Sequence, residues 1–151
     1  MTGGIAVVLA GIGLGLMIGM SGLGSAIGLV IGGQSAIGAI KKRPETFGSN
    51  LILSGLPATQ GLYGFVSFFM YTGLVNENIT LFQGSIVLAA GIAVGLSAMV
   101  SAIQQGKVCA AGISAIGSGH NVFGNTFILA VFPEFYAILA LVAAILMQGL
   151  M

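Results

Sequence analysis

The chain has 151 residues, of which 57% are hydrophobic and only 5% charged, with a formal net charge of +1 and a mean hydropathy of +1.13. A soluble domain averages about 25% charged residues and has too much surface to hide this much apolar material, so a water-facing fold is excluded and lipid is the main solvent. The four basic residues form no phosphate-binding stripe, which excludes nucleic acid as a partner, and Cys109, the lone cysteine, allows no intrachain disulfide and reads as a small buried apolar residue.

A spanning helix needs about 20 apolar residues, and four stretches qualify. The first runs over residues 4–40. No positive charge precedes it, and its apolar run is far longer than that of a cleaved secretory peptide. It is therefore expected to be a mature spanning helix. It is dense in glycine, with Gly11, Gly15 and Gly19 and then Gly24, Gly28 and Gly32 at a four-residue period. In lipid such ridges let helices approach closely, and a tightly packed helix layer suggests an oligomer. Gly11-x-Gly13-x-Gly15 is no nucleotide loop, because no strand leads into it and no matching acidic residue follows.

Lys41-Lys42-Arg43-Pro44-Glu45 breaks the first helix with charge and a proline. It holds three of the four basic residues, so positive-inside logic puts this loop in the cytoplasm. Residues 47–71 form the second span, with Phe65, Phe68 and Phe69 expected to face lipid. Here Leu56, Thr59, Gln60 and Tyr63 fall at i, i+3, i+4 and i+7, one face of a helix. The polar Asn76-Glu77-Asn78 turn follows. The third span covers residues 80–117 and carries Gln104, Gln105 and Lys107. Spans one and three exceed a bilayer and are expected to tilt or project. Ser118-Gly119-His120-Asn121 is a turn, and residues 122–148 form the last span, with Phe127 at the lipid. Four spans put the residue 118–121 loop in the cytoplasm with the first loop, and both termini outside. The strands of a β-barrel would be far shorter and would alternate polar with apolar residues.

The two halves repeat. Gly11-Ile12 matches Gly91-Ile92, Ser21 matches Ser101, Phe47-Gly48 matches Phe123-Gly124, Ile52-Leu53 matches Ile128-Leu129, and Pro57 matches Pro133. The expected units are residues 1–78 and 79–151, each one hairpin, both running in the same direction. A parallel repeat argues against inverted-repeat carriers. Glu134 follows Pro133, whereas Ala58 follows Pro57, so only the second hairpin carries a carboxylate.

Glu134 is the only acidic residue inside an expected span. A central acid costs several kcal/mol, roughly 2.5–3.5 for Asp, and marks function by default. With the hydroxyl of Thr59, the amides of Gln60 and Gln105 and carbonyls freed by the prolines, it offers hard oxygen ligands suited to a hard cation. Interhelical hydrogen-bond glue would account for the amides but has no need of a carboxylate in the same layer. Tyr63 can donate to Glu134 and hold it ionised in one rotamer. Tyr136 points elsewhere on the helix and is expected to pack. Lys107 has three readings that stay open: a partner of Glu134, a liner of a wet lumen, or a contact for lipid.

Leu56-Pro57-Ala58-Thr59-Gln60-Gly61-Leu62-Tyr63-Gly64-Phe65, Gln105-Gly106-Lys107 and Glu134-x-Tyr136-Ala137-Ile138-Leu139 resemble the proteolipid rotor-ring subunits, subunit K, of bacterial V-type (A/V-type) sodium ATPases. The likeness covers nearly the whole chain, including the duplication and the Lys41-x-x-Pro44-Glu45 loop. It implies a homo-oligomeric rotor ring in the bacterial plasma membrane, with no catalytic site and no organic cofactor on this chain. One Na⁺ per chain would be held by the Leu56 carbonyl, Thr59, Gln60, Gln105 and Glu134, with Tyr63 supporting the carboxylate. Spans one and three would form the inner wall and spans two and four the outer layer. Implied partners are a stator membrane subunit that carries an arginine, central-stalk subunits at the cytoplasmic loops, and lipid. One departure is Phe135, beside Glu134, where a sodium-type relative has threonine. The nearest alternative is a proton ring of the same fold, in which Glu134 simply protonates; Thr59, Gln60 and Gln105 together favour sodium. A small secondary transporter would need a substrate pocket larger than this ion-sized cluster, and a structural bundle would not need Glu134.

Overall fold

The computed structural model describes residues 2–151; Met1, the first residue of the first expected unit, lies outside them. Among the described residues every regular element is helical: α1 (Thr2–Lys42), α2 (Phe47–Gly55), α3 (Thr59–Thr72), α4 (Leu81–Gly117) and α5 (Phe123–Gln148). Three of them, α1, α4 and α5, are long and apolar enough to cross a membrane, and the chain is an integral membrane protein. The 41 residues of α1 extend about 62 Å at 1.5 Å per residue, twice the roughly 30 Å of a hydrocarbon core.

The helix ends follow from local chemistry. The last α1 bond is Arg43 N to the Ala39 carbonyl at 2.9 Å, and Arg43 itself is pushed to φ −140°, ψ 81° by the proline behind it. Thr80 caps α4: its hydroxyl accepts from Gln83 N while Gln83 Oε1 accepts from Thr80 N at 3.0 Å. At the other end of α4, His120 N reaches the Ala115 carbonyl and Gly119 N the Ile116 carbonyl, with Gly119 at φ +98°, a conformation that glycine adopts without strain.

The second expected span is not one continuous α-helix. Pro57 has no N–H for the Leu53 carbonyl, and Leu56 N takes that carbonyl instead, tightening Leu56–Ala58 into a 3-10 turn. The backbone stays right-handed helical through Gly55, Leu56, Ala58 and Thr59, so the segment from α2 into α3 remains one rod with a tightened middle.

Glycine sets how the rods assemble. Ala6 meets Gly84, Gly13 meets Gly91, Gly28 meets Gly106 and Ala39 meets Gly117. Partner positions advance in step, so α1 and α4 run parallel and in register over nearly their whole length. Backbone faces backbone here: a Cβ built on Gly91 would lie 2.6 Å from the Gly13 Cα. The second trio of α1 is packed as expected, Gly24 against Met99, Gly28 against Ala102 and Pro57, and Gly32 against Ser54. The first trio is not: Gly11, Gly15 and Gly19 meet nothing within 4 Å, and Gly13 makes the contact with α4 in their place. The line of approach of α4 selects one face of α1, and the first trio lies off it. Segments α2–α3 fold back along α1, with Gly61 beside Ser25 and Gly64 beside Ser21, and α5 folds back along α4, with Thr126 on Gly112.

Two apolar clusters form the interior. One gathers Met17, Tyr71, Val87, Val94 and Ala144, the other Leu53, Cys109, Ile113 and Ala130. Between the two clusters the rods carry polar residues: Ser101 and Gln105 in α4, Thr59, Gln60 and Tyr63 in α3, Glu134 in α5. Cys109 is fully buried, as a small apolar residue. Phe65 and Phe69 are exposed, whereas Phe68 turns inward and packs on the first cluster.

Candidate functional site

The tightened turn at Leu56–Ala58 delivers Thr59 and Gln60 into the first turn of α3, facing α4 and α5. Pro133 precedes Glu134 inside α5. The carboxylate is half-buried and receives three side-chain donors. Thr59 Oγ1 and the Tyr63 hydroxyl each lie 2.7 Å from Oε1, and Gln105 Nε2 lies 2.9 Å from Oε2. Three donors on one carboxyl group hold it in a single rotamer.

Further hydrogen bonds fix those donors. Gln105 is fully buried and also donates to the Ala130 carbonyl at 2.9 Å. Gln60, fully buried too, donates to Gln105 Oε1 at 2.8 Å and to Ser101 Oγ at 3.1 Å. Ser101 in turn donates to the Pro133 carbonyl at 2.8 Å. The Leu56 carbonyl lies 3.1 Å from Thr59 Oγ1, and Gln60 Oε1 lies 3.2 Å from the same hydroxyl. All six residues singled out from the sequence therefore converge on one cluster. Four of them, Leu56, Thr59, Gln60 and Tyr63, come from the tightened turn and α3, and Gln105 and Glu134 from α4 and α5. Gln105 turns its nitrogen, not its oxygen, toward the carboxylate.

Sequence reasoning missed Ser101 and the Ala130 carbonyl. Ser101 precedes Gln105 by four residues and so shares its helix face, a signal that was available. Gln104 is exposed and takes no part. Tyr136 does not pack within the chain; it is 70% exposed. Lys107 is exposed and does not pair with Glu134, since the only salt bridge among the described residues joins Arg43 Nε to Glu45 Oε1 at 2.7 Å in the first loop. The Glu45 carboxyl is held below the usual carboxylate range by a hydrogen bond from its own backbone and then by Arg43.

The chain is 38% identical to the A-type ATP synthase subunit K of Methanocaldococcus jannaschii over 140 residues, 93% of this chain and 61% of that one. It is 39% identical to the V-type sodium ATPase subunit K of Enterococcus hirae over 127 residues, 84% of this chain and 81% of that one. To the 16 kDa proteolipid of the human V-type proton ATPase it is 25% identical, over 85% of this chain and 83% of that one. The profile of the ATP synthase C-subunit family matches residues 12–71, from α1 into α3, and again residues 88–147, from α4 into α5. An all-helical chain matched twice over by that profile is a member of the ATP synthase C-subunit family.

Proposed function

We propose that this chain is the ion-binding subunit of the membrane rotor ring of a rotary ATPase, carrying one Na⁺ per chain across the membrane while partner subunits make or hydrolyse ATP. The observation that carries this reading is the Glu134 cluster: one carboxylate bonded by two hydroxyls and the Gln105 amide, with the Gln60 amide bonded to Gln105 behind them. A proton site needs a carboxylate and little else. The additional oxygens suit a hard cation, and one of the relatives is named a sodium ATPase subunit.

In this reading Na⁺ is cargo. Glu134, Thr59 Oγ1, Gln60 Oε1 and the Leu56 carbonyl already turn oxygen toward one another. Binding requires Gln105 to turn its amide, so that Oε1 replaces Nε2 at the ion. Tyr63 keeps donating to the carboxylate and neutralises part of its charge. A loaded site is close to neutral and can pass through lipid. An empty one cannot, and it discharges beside a positive group on the stator, an arginine by analogy with the family. Each unit charge carried across 100 mV exchanges about 2.3 kcal/mol. The basic Lys41–Arg43 end lies in the cytoplasm, where the loops meet the central stalk, with both termini on the other side.

The test is labelling by a carboxyl-reactive carbodiimide, which attacks a protonated carboxyl in an apolar site. Glu134 is the expected target, and Na⁺ slows the reaction at fixed pH. Labelling that follows pH and ignores Na⁺ replaces the sodium ring with a proton ring.

A further inference from the structure

Inside a helix a serine hydroxyl commonly donates to a carbonyl one turn back in its own helix. Ser67 and Ser85 do so, and so does Ser21, the repeat counterpart of Ser101, which bonds the Met17 carbonyl at 2.6 Å. Ser101 does not. It is buried in α4, one turn before Gln105, and its hydroxyl crosses to α5, donating to the Pro133 carbonyl at 2.8 Å. That bond uses its single proton, so toward Gln60 Nε2, at 3.1 Å, Ser101 can only accept.

The consequence lies in the two buried amides. In the structure the partners of each amide agree on its orientation. Gln105 Nε2 faces two acceptors, Glu134 Oε2 and the Ala130 carbonyl, and Gln105 Oε1 faces the donor Gln60 Nε2. Gln60 Oε1 is turned to the Thr59 hydroxyl. Loading an ion breaks this agreement. Once Gln105 turns its oxygen to Na⁺, its nitrogen replaces that oxygen beside Gln60 Nε2, and two donors meet. Gln60 can relieve the conflict by turning as well, which gives Gln105 Nε2 an acceptor but takes Gln60 Oε1 away from the ion. Left to themselves, the two amides would supply Na⁺ with one oxygen, not two.

We propose that Ser101 is a positioning residue for the ion site, pinning Gln60 in the orientation that offers Oε1 to the ion while Gln105 turns. A turned Gln60 would set its oxygen against the Ser101 oxygen, two acceptors facing each other among buried groups. The hydroxyl could answer that oxygen only by releasing the Pro133 carbonyl. Pro133 adjoins Glu134, so the same bond ties the orientation of Gln60 to the turn of α5 that carries the carboxylate. Ser101 does not touch the ion; it acts through Gln60. Ser21 has no such task and folds its hydroxyl back on its own helix. The proposal rests on the sodium reading and deepens it by specifying what keeps both amide oxygens at the ion.

The test is Na⁺ protection of Glu134 from carbodiimide, measured on the complete complex in its membrane at fixed pH. Ser101→Ala is expected to raise the half-protecting Na⁺ concentration roughly two- to tenfold, the hold of one neutral hydrogen bond. Ser101→Thr, which keeps a hydroxyl, restores tight binding. In a Gln60→Leu background the further change Ser101→Ala has no effect, because no amide is left to aim. A Ser101→Ala complex protected at the parental Na⁺ concentration overturns the proposal and leaves the sodium reading standing. A fold-change that persists in the Gln60→Leu background overturns it as well, because the hydroxyl then acts through α5. So does a Ser101→Thr variant that binds as weakly as the alanine variant, or a Ser101→Ala chain that no longer assembles, which would make the hydroxyl a fastener between helices. A parent whose labelling ignores Na⁺ overturns the sodium reading itself.

Discussion

Replacing Gln105 with leucine removes one oxygen from the cluster without changing charge and with little change in volume. In the structure the side chain gives one bond to Glu134 Oε2 and one to the Ala130 carbonyl, both at 2.9 Å, and accepts one from Gln60 at 2.8 Å. Gln60 keeps its bond to Ser101, so its buried amide is not stranded. The Ala130 carbonyl loses only a side-chain partner. What goes from the loaded site is the Gln105 oxygen, a polar contact to a charged centre worth about 1.5–3 kcal/mol net, offset in part because the empty carboxylate loses its Nε2 donor as well. At about 1.4 kcal/mol per factor of ten, the Na⁺ concentration that half-protects Glu134 from carbodiimide rises by up to about a hundredfold. The assay is the labelling rate of the purified ring against Na⁺ at fixed pH, with ring mass checked on a native gel. An intact ring with unchanged half-protection would refute Gln105 as a ligand.

Glu134→Gln is expected to abolish both carbodiimide labelling and coupled ion transport, read by mass spectrometry and by ion uptake into vesicles. Gly28→Leu places side-chain atoms against the Pro57 Cβ, 2.7 Å from the ideal Cβ position, and against the Ala102 carbonyl. It should destabilise the single chain by about 1–3 kcal/mol or more, read as a lower unfolding midpoint in detergent. Gly15→Leu has open space within the chain. It should leave that midpoint in place and weaken only ring assembly, read on a native gel. The Glu45 carboxyl titrates below the free-glutamate value, so its contribution to the loop is present above its unfolded pKa and is lost as pH falls through the folded one. Carboxyl NMR should show that low inflection, and Arg43→Gln should raise it part of the way.

The break points were legible because their causes are local: Pro44, the polar Asn76-Glu77-Asn78 turn and Gly119 act over a few residues, whereas the Thr80–Gln83 cap emerged only in the structure. Glu134 was legible because a carboxylate among apolar residues has no inexpensive structural role. The face shared by Leu56, Thr59, Gln60 and Tyr63 was legible from helical spacing alone. Which α1 glycines are packed was not. Glycines occur on several sides of α1, and only the course of α4 decides between Gly13 and the Gly11–Gly15–Gly19 row. Nor was the exposure of Tyr136 legible: an aromatic on an apolar helix reads as packed until the face it occupies is known to be uncovered. The interruption at Leu56–Ala58 was half legible. Pro57 announced a lost bond, but whether the chain would kink or tighten depended on Leu56 N reaching the Leu53 carbonyl.

Thr59, Tyr63 and Gln105, the donors to Glu134, belong to the same polypeptide as the carboxylate, and on the ring reading proposed above this sets how a mixed population behaves. When a defective variant is co-expressed with the parent, each parental chain brings these groups with it. Ion occupancy then falls in proportion to the fraction of variant chains. A pocket shared between neighbours would be lost whenever either contributor was defective, and occupancy would fall with the square of the parental fraction. Joining two hairpins in one chain thereby insulates each binding event from errors in its neighbour, although turnover of the whole machine still fails at the first dead position.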